Sequence, residues 1–129
     1  MSITPARLLA ALAAAAAVAP AAAAAQADPS ISVAPSTAAL DERVTVRGRD
    51  FVVFESCARR VTVRLRSAQN EVRLGRARVR ESGRVRFRFV ARDHNVGPGR
   101  WRVVVSQRCE SGRDGSRFFR RASARLRLR

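Results

Sequence analysis

Cys57-Ala58-Arg59-Arg60-Val61-Thr62-Val63-Arg64-Leu65-Arg66 sets the pattern of this chain. Val61, Val63 and Leu65 alternate with Thr62, Arg64 and Arg66, the period of two that a strand with one buried face requires. The same arginine-decorated alternation returns in Arg84-Val85-Arg86-Phe87-Arg88-Phe89, in Trp101-Arg102-Val103-Val104-Val105 and in Ala124-Arg125-Leu126-Arg127-Leu128. Upstream, Ile31-Ser32-Val33 alternates until Pro35 ends or bends it, and Arg43-Val44-Thr45-Val46-Arg47 is closed by Gly48. Val72 to Val79 reads as a weaker strand, with Gly75 marking a bulge or bend.

Turn residues separate these segments. Ala38 to Glu42, Ser67-Ala68-Gln69-Asn70 and Glu81-Ser82-Gly83 read as turns, and Asp93 to Gly99 and Glu110 to Ser116 as loops. Short strands at intervals of about ten residues, with no competing helical period, predict an all-β sandwich of about seven strands. The inward set is Val44, Val46, Val61, Val63, Leu65, Val85, Phe87, Phe89, Trp101, Val103, Val105, Leu126 and Leu128. These are mostly β-branched or aromatic residues, which suit two facing sheets.

Residues 1–27 stand apart. Arg7 is a short positive region, Leu8 to Val18 is a Leu/Ala run, Pro20 interrupts it, and Ala25-Gln26-Ala27 has the small-x-small form of a signal-peptidase site. The expectation is a cleaved signal helix over 1–27 followed by one domain over 28–129, secreted or otherwise extracytoplasmic at the cell envelope. No later apolar run reaches the roughly 20 residues that span a bilayer, so no stable membrane insertion is expected after cleavage.

The 129 residues carry a formal charge of +16, and all 26 basic residues are arginine. Only Arg7 precedes residue 28, so the expected mature segment keeps 25 arginines against ten acids, a formal +15. Guanidinium forks pair well with phosphate, sulfate and carboxylate. A bias toward Ala and Arg codons accounts for the choice of arginine over lysine, but not for the size of the field, which attracts polyanions of any kind.

Cys57 and Cys109 form an even pair in a chain read as exported, so a disulfide is expected. Cys57 stands just before one strand and Cys109 just after the strand beginning at Trp101. If those strands run antiparallel, the two sulfurs meet. Closing a loop of roughly 50 residues stabilises a fold by roughly 4 kcal/mol in the chain-entropy model. A metal or redox site is disfavoured, since there is no Cys-x-x-Cys and His94 is the sole histidine.

The motifs, taken together, resemble bacterial extracellular immunoglobulin-like domains of the kind found in secreted actinobacterial proteins. Ile31-Ser32-Val33-Ala34-Pro35 followed by Val44-Thr45-Val46-Arg47-Gly48-Arg49-Asp50-Phe51 looks like their opening strand and the V-T-V-x-G-x-G-F strand and turn. Asp50 stands where the second glycine is usual and tolerates the same left-handed geometry. Val61-Thr62-Val63, Ser82 to Phe87, and Gly97-Pro98-Gly99-Arg100-Trp101-Arg102-Val103 match later strands, with Trp101 in place of the usual tyrosine. The resemblance implies a single immunoglobulin-like Greek-key β-sandwich. It does not fix a function.

No catalytic constellation is evident. His94 lies in an Asp-His-Asn loop with no Gly-x-Ser-x-Gly nucleophile, the acids are scattered beside arginines, and Asp114-Gly115-Ser116 lacks calcium-loop spacing. No enzyme, cofactor or metal is expected. The candidate anion-binding residues are Arg64, Arg66, Arg102, Arg125 and Arg127 on one outer face, and Arg84, Arg86 and Arg88 on the other with Arg43 and Arg47. The aromatics fall in the inward phase. The expected function is a non-catalytic binding or structural module that adheres weakly to anionic cell-envelope polymers, or to another secreted protein, with only non-specific affinity for nucleic acid. The alternatives are a carrier or inhibitor using Val52 to Glu55, Asp93 to Gly99 and Glu110 to Ser116 at one end of the sandwich, and a cationic nucleic-acid-binding or antimicrobial protein.

Overall fold

The structure, a computed structural model, describes residues 27–129. The expected signal helix lies outside the described residues. The strands are β1 Ser30–Ala34, β2 Thr37–Ala38, β3 Arg43–Arg49, β4 Arg60–Arg66, β5 Glu71–Arg78, β6 Val85–Val90, β7 Gly99–Glu110 and β8 Arg117–Leu128, with a 3-10 turn at Ala91–His94 before β7. They form a three-stranded sheet in the order β1-β3-β6 and a five-stranded sheet in the order β2-β8-β7-β4-β5.

This order is that of an immunoglobulin-like Greek-key sandwich. β3 and β6 take the B and E positions of one sheet, and β8-β7-β4-β5 is the G-F-C-C′ order of the other. The opening strand is shared between the sheets. β1 pairs antiparallel with β3, while β2 pairs parallel with β8. Pro35, which lies between them, has no N–H to continue a ladder. The first strand is thus divided, and the structure has eight strands where the sequence predicts about seven.

The core follows the alternation. Val44, Val46, Val61, Val63, Leu65, Val103, Val105, Leu126 and Leu128 are all buried, as are Val85 and Phe89. Phe87 and Trp101 are only partly buried at its margin. Trp101 turns its indole N–H outward to the Gly97 carbonyl at 3.0 Å. The bulge expected near Gly75 is present. Val63 faces Gly75 while Arg64 faces Arg73, so Leu74 is the extra residue and turns into the core. The missing side chain at Gly75 admits the Phe87 ring, which comes within 3.0 Å of where a Cβ would stand.

Gly48 is a second close approach. A Cβ there would lie 2.7 Å from Val85 Cγ2 and 2.8 Å from Phe51 Cε2. Gly48→Ala is therefore expected to overpack the end of the core and cost about 1–3 kcal/mol. Chemical denaturation reads this directly, and an unchanged midpoint would show that Val85 and Phe51 move aside freely.

Candidate anion-binding faces

The antiparallel pairing of β4, β7 and β8 sets arginines side by side. Arg66 lies opposite Arg102, and Arg102 opposite Arg125. One step along, Arg100 lies opposite Arg127. Adjacent strands run about 4.8 Å apart, so these five side chains leave one face of the sheet as a dense group. They line a shallow groove of about 780 Å³ together with Ser36, Ser67 and Trp101, and no carboxylate shares the lining. Arg102 Nη1 donates to Ser123 Oγ at 3.2 Å, which holds its head flat along the sheet.

Glu71 tempers the neighbouring part of this face. Its carboxylate lies 3.7 Å from Arg64 Nε and 3.5 Å from Arg66 Nη2. Arg64 also donates to Ser106 Oγ at 3.3 Å. Beyond it lie Arg121 and Phe119, with the Arg121 guanidinium 5.1 Å from the ring centroid. Phe119 and Arg121 thus stand at the hairpin end of this face, beyond Glu71 and outside the groove that Arg66, Arg100, Arg102, Arg125 and Arg127 line.

The three-stranded sheet carries a second cluster. Arg47 lies opposite Arg86, and Thr45 opposite Arg88. Arg80 and Arg84, in and after the turn before β6, complete a groove of about 630 Å³ with Arg47, Arg49 and Arg86. The Arg86 guanidinium is held below its ordinary value by Arg88, then by loss of solvent, Arg47 and Arg80. Like charges directly across a strand pair repel, and a bound anion relieves that repulsion.

The sequence-derived candidates accordingly divide. Arg64, Arg66, Arg102, Arg125 and Arg127 share the five-stranded face, while Arg86 and Arg88 share the other with Arg84 beside them. Arg100 was not among them. β7 begins at Gly99 rather than Trp101, and extending the alternation back by one residue places Arg100 in the outward phase. Arg121 was hidden too, because the paired residues of Arg117-Phe118-Phe119-Arg120-Arg121 blur the period. The expectation that the aromatics face inward fails at Phe119. It sits in the outward phase opposite Arg108, and Phe54 and Phe118 are exposed as well.

Arg120 is the inverse case. It occupies an inward position and donates from Nη2 to the carbonyls of Ala27 at 2.6 Å and Asp50 at 3.2 Å. That ties β8 to the start of the loop after β3, where Asp50 takes the left-handed φ of 65° expected for it.

The three loops proposed as one end cluster do not meet. The β3–β4 loop and the β7–β8 turn lie at one end of the sandwich, and Asp93 to Gly99, between β6 and β7, lies at the other, against the Ser67–Asn70 turn. Chain reversal produces this outcome, since each strand from β3 to β8 carries the chain across the sandwich and sends successive loops to opposite ends.

Cys57 and Cys109 are joined, with Cα atoms 4.0 Å apart. Cys109 lies within β7 rather than after it. The pair is flanked by Ala58 N–H to Arg108 O at 2.8 Å and Glu110 N–H to Ser56 O at 2.7 Å. The cysteines therefore occupy a non-hydrogen-bonded site of an antiparallel pair, where side chains approach most closely. The bridge lies within one sheet, unlike the B–F bridge between sheets found in antibody domains.

Beside it, the fully buried Gln107 accepts from Val52 N–H at 2.9 Å and donates to Val52 O at 2.7 Å and Ala58 O at 2.8 Å. The amide replaces strand pairing for a loop that has none. Among the described residues no cluster of His, Cys, Asp and Glu has the makings of a metal site, and no helix is long and apolar enough to cross a membrane.

No family model matches the sequence, and none of the curated proteins matches it. Among solved structures the chain is similar to murine CRIg at 14% identity and a TM-score of 0.43, over 80% of this chain and 99% of that one. The fold assignment stands on the strand order above.

Proposed function

We propose that this protein is a non-catalytic, extracytoplasmic immunoglobulin-like binding module that holds anionic cell-envelope polymers against the outer face of its five-stranded sheet. The observation that carries this reading is the in-register row Arg66–Arg102–Arg125 beside Arg100–Arg127, lining a groove without a carboxylate. Planar guanidinium heads at strand spacing bracket successive phosphate, sulfate or carboxylate groups of one chain. The resemblance to bacterial extracellular domains and the leader-like segment support an envelope setting. The carrier alternative is weakened because its three loops lie at opposite ends.

Titration with a soluble polyphosphate or polyuronate over a salt series tests the reading. Affinity is expected to fall steeply with salt, with a log–log slope losing roughly 0.7 per ion contact removed. The Arg102→Glu/Arg125→Glu pair is expected to weaken binding at least tenfold at low salt. Salt-independent affinity, or an unaffected charge-reversal pair, would sink the proposal. Much tighter binding to single-stranded nucleic acid than to either polymer would favour the nucleic-acid alternative.

A further inference from the structure

The end of the sandwich that carries the disulfide has a character the arginine faces lack. Phe54, Phe118 and Phe119 are 62%, 46% and 50% exposed, and they are the exposed large hydrophobics among the described residues. Register places Phe118 beside the bridge. Phe118 lies opposite Cys109, and Cys109 opposite Cys57, so the three form one row across the sheet. The Cys57 N–H donates to the Phe54 carbonyl at 3.0 Å, which holds Phe54 a single turn from that row. Phe119 follows on the opposite side of the same strand, so the hairpin end is apolar on both sides.

This end is also rigid and basic. The disulfide and the Gln107 amide tie the Phe54 loop to the base of the β7–β8 hairpin. From Arg108 to Arg121 the hairpin carries five arginines against Glu110 and Asp114. Of these five, Arg120 is engaged inward. Arg121 holds its guanidinium over the Phe119 ring, 5.1 Å from the centroid, so a basic head and an exposed aromatic share one spot on this end.

We infer that this end docks onto an anionic lipid surface, with Phe54, Phe118 and Phe119 entering the interfacial layer while Arg108, Arg113, Arg117 and Arg121 meet the headgroup phosphates. Charge complementarity selects the occupant: exposed phenylalanines on a hairpin end that also bears Arg108, Arg113, Arg117 and Arg121 match a layer whose acyl boundary lies beneath anionic headgroups. A soluble polyanion satisfies the arginines but offers nothing to the rings. Because the platform is already ordered, docking costs little further loss of chain freedom. Arg66, Arg100, Arg102, Arg125 and Arg127 lie farther along the five-stranded sheet, toward its other end, and remain open to polymer. This inference is independent of the polymer-binding reading.

Flotation of the intact protein with phosphatidylglycerol/phosphatidylcholine vesicles, and with phosphatidylcholine vesicles alone, tests it. Binding is expected to the anionic vesicles and to survive in part at about 1 M salt, where the Debye length is about 3 Å. The Phe54→Ser/Phe118→Ser/Phe119→Ser variant is expected to lose at least tenfold in partitioning while keeping its affinity for soluble polyphosphate. The Arg102→Glu/Arg125→Glu pair should show the reverse. In a second arm, Phe54→Trp keeps the apolar surface. Its emission is expected to shift to the blue on vesicle binding, over the constant signal of Trp101 at the opposite end. Equal partitioning of the serine variant and the parent, complete loss of parent binding at high salt, or an unshifted tryptophan would overturn the inference.

Discussion

Replacing the bridge with Cys57→Ala/Cys109→Ala is expected to lower the unfolding free energy by about 4 kcal/mol. The two residues are 52 apart in sequence, and the entropy that the cross-link removes from the unfolded chain grows with the logarithm of that separation. Removing the sulfurs also opens space in the small cluster of Val52, Cys57 and Cys109, which adds to the loss. Small domains have a net stability of only about 5–15 kcal/mol, so the variant should be marginal at physiological temperature. Urea denaturation of the oxidised parent and the variant measures the difference. The slope should rise as well, because the uncrosslinked chain exposes more surface on unfolding. A loss below about 1 kcal/mol would mean that the unfolded chain stays compact without the bridge.

Gln107→Leu is expected to cost about 3–5 kcal/mol, the second largest effect. Leucine fills similar space and suits a buried position. It leaves the Val52 N–H and the carbonyls of Val52 and Ala58 without the amide partners they now have. Each buried polar group left unpaired costs about 1–3 kcal/mol. Part of the penalty is recovered if the loop lifts into water, so hydrogen exchange should show faster exchange of Val52 N–H and its neighbours than of the β7–β8 ladder. A Gln107→Leu protein as stable as the parent would show that the loop is held by the disulfide alone. The two sites share one cluster, so the effects of combining these variants should not add.

Gln107 also marks where the sequence was legible and where it was not. The alternation of β4, β6, β7 and β8 announced a sandwich, and the inward valines and leucines fell where the period put them, because register is forced wherever one face is buried. The strand read from the sequence stops at Val105 and leaves Gln107 out; β7 runs on to Glu110 and turns Gln107 inward, yet nothing local distinguishes a buried amide that serves a distant loop from a polar strand end. Its partners are Val52 and Ala58, brought near only by the fold. The loop positions failed for a related reason: composition identifies a loop but not the end of the molecule to which it belongs. The arginine faces were read correctly as faces. The groove between Arg66 and Arg127 depended on strand order, which alternation does not encode.

The short parallel patch between β2 and β8 has a mechanical consequence. Thr37 lies opposite Arg127 and Ala38 opposite Leu128, with further bonds from Arg127 N–H to Ser36 O and from Arg129 N–H to Ala38 O. A pull entering ahead of β2 and leaving at the end of β8 runs along both strands in opposing directions. It stretches these bonds together rather than peeling them one at a time. Once they part, the Cys57–Cys109 bridge still withholds its enclosed chain from extension, roughly 180 Å at about 3.4 Å per residue. Extension after this patch yields is therefore confined to the chain outside the bridge.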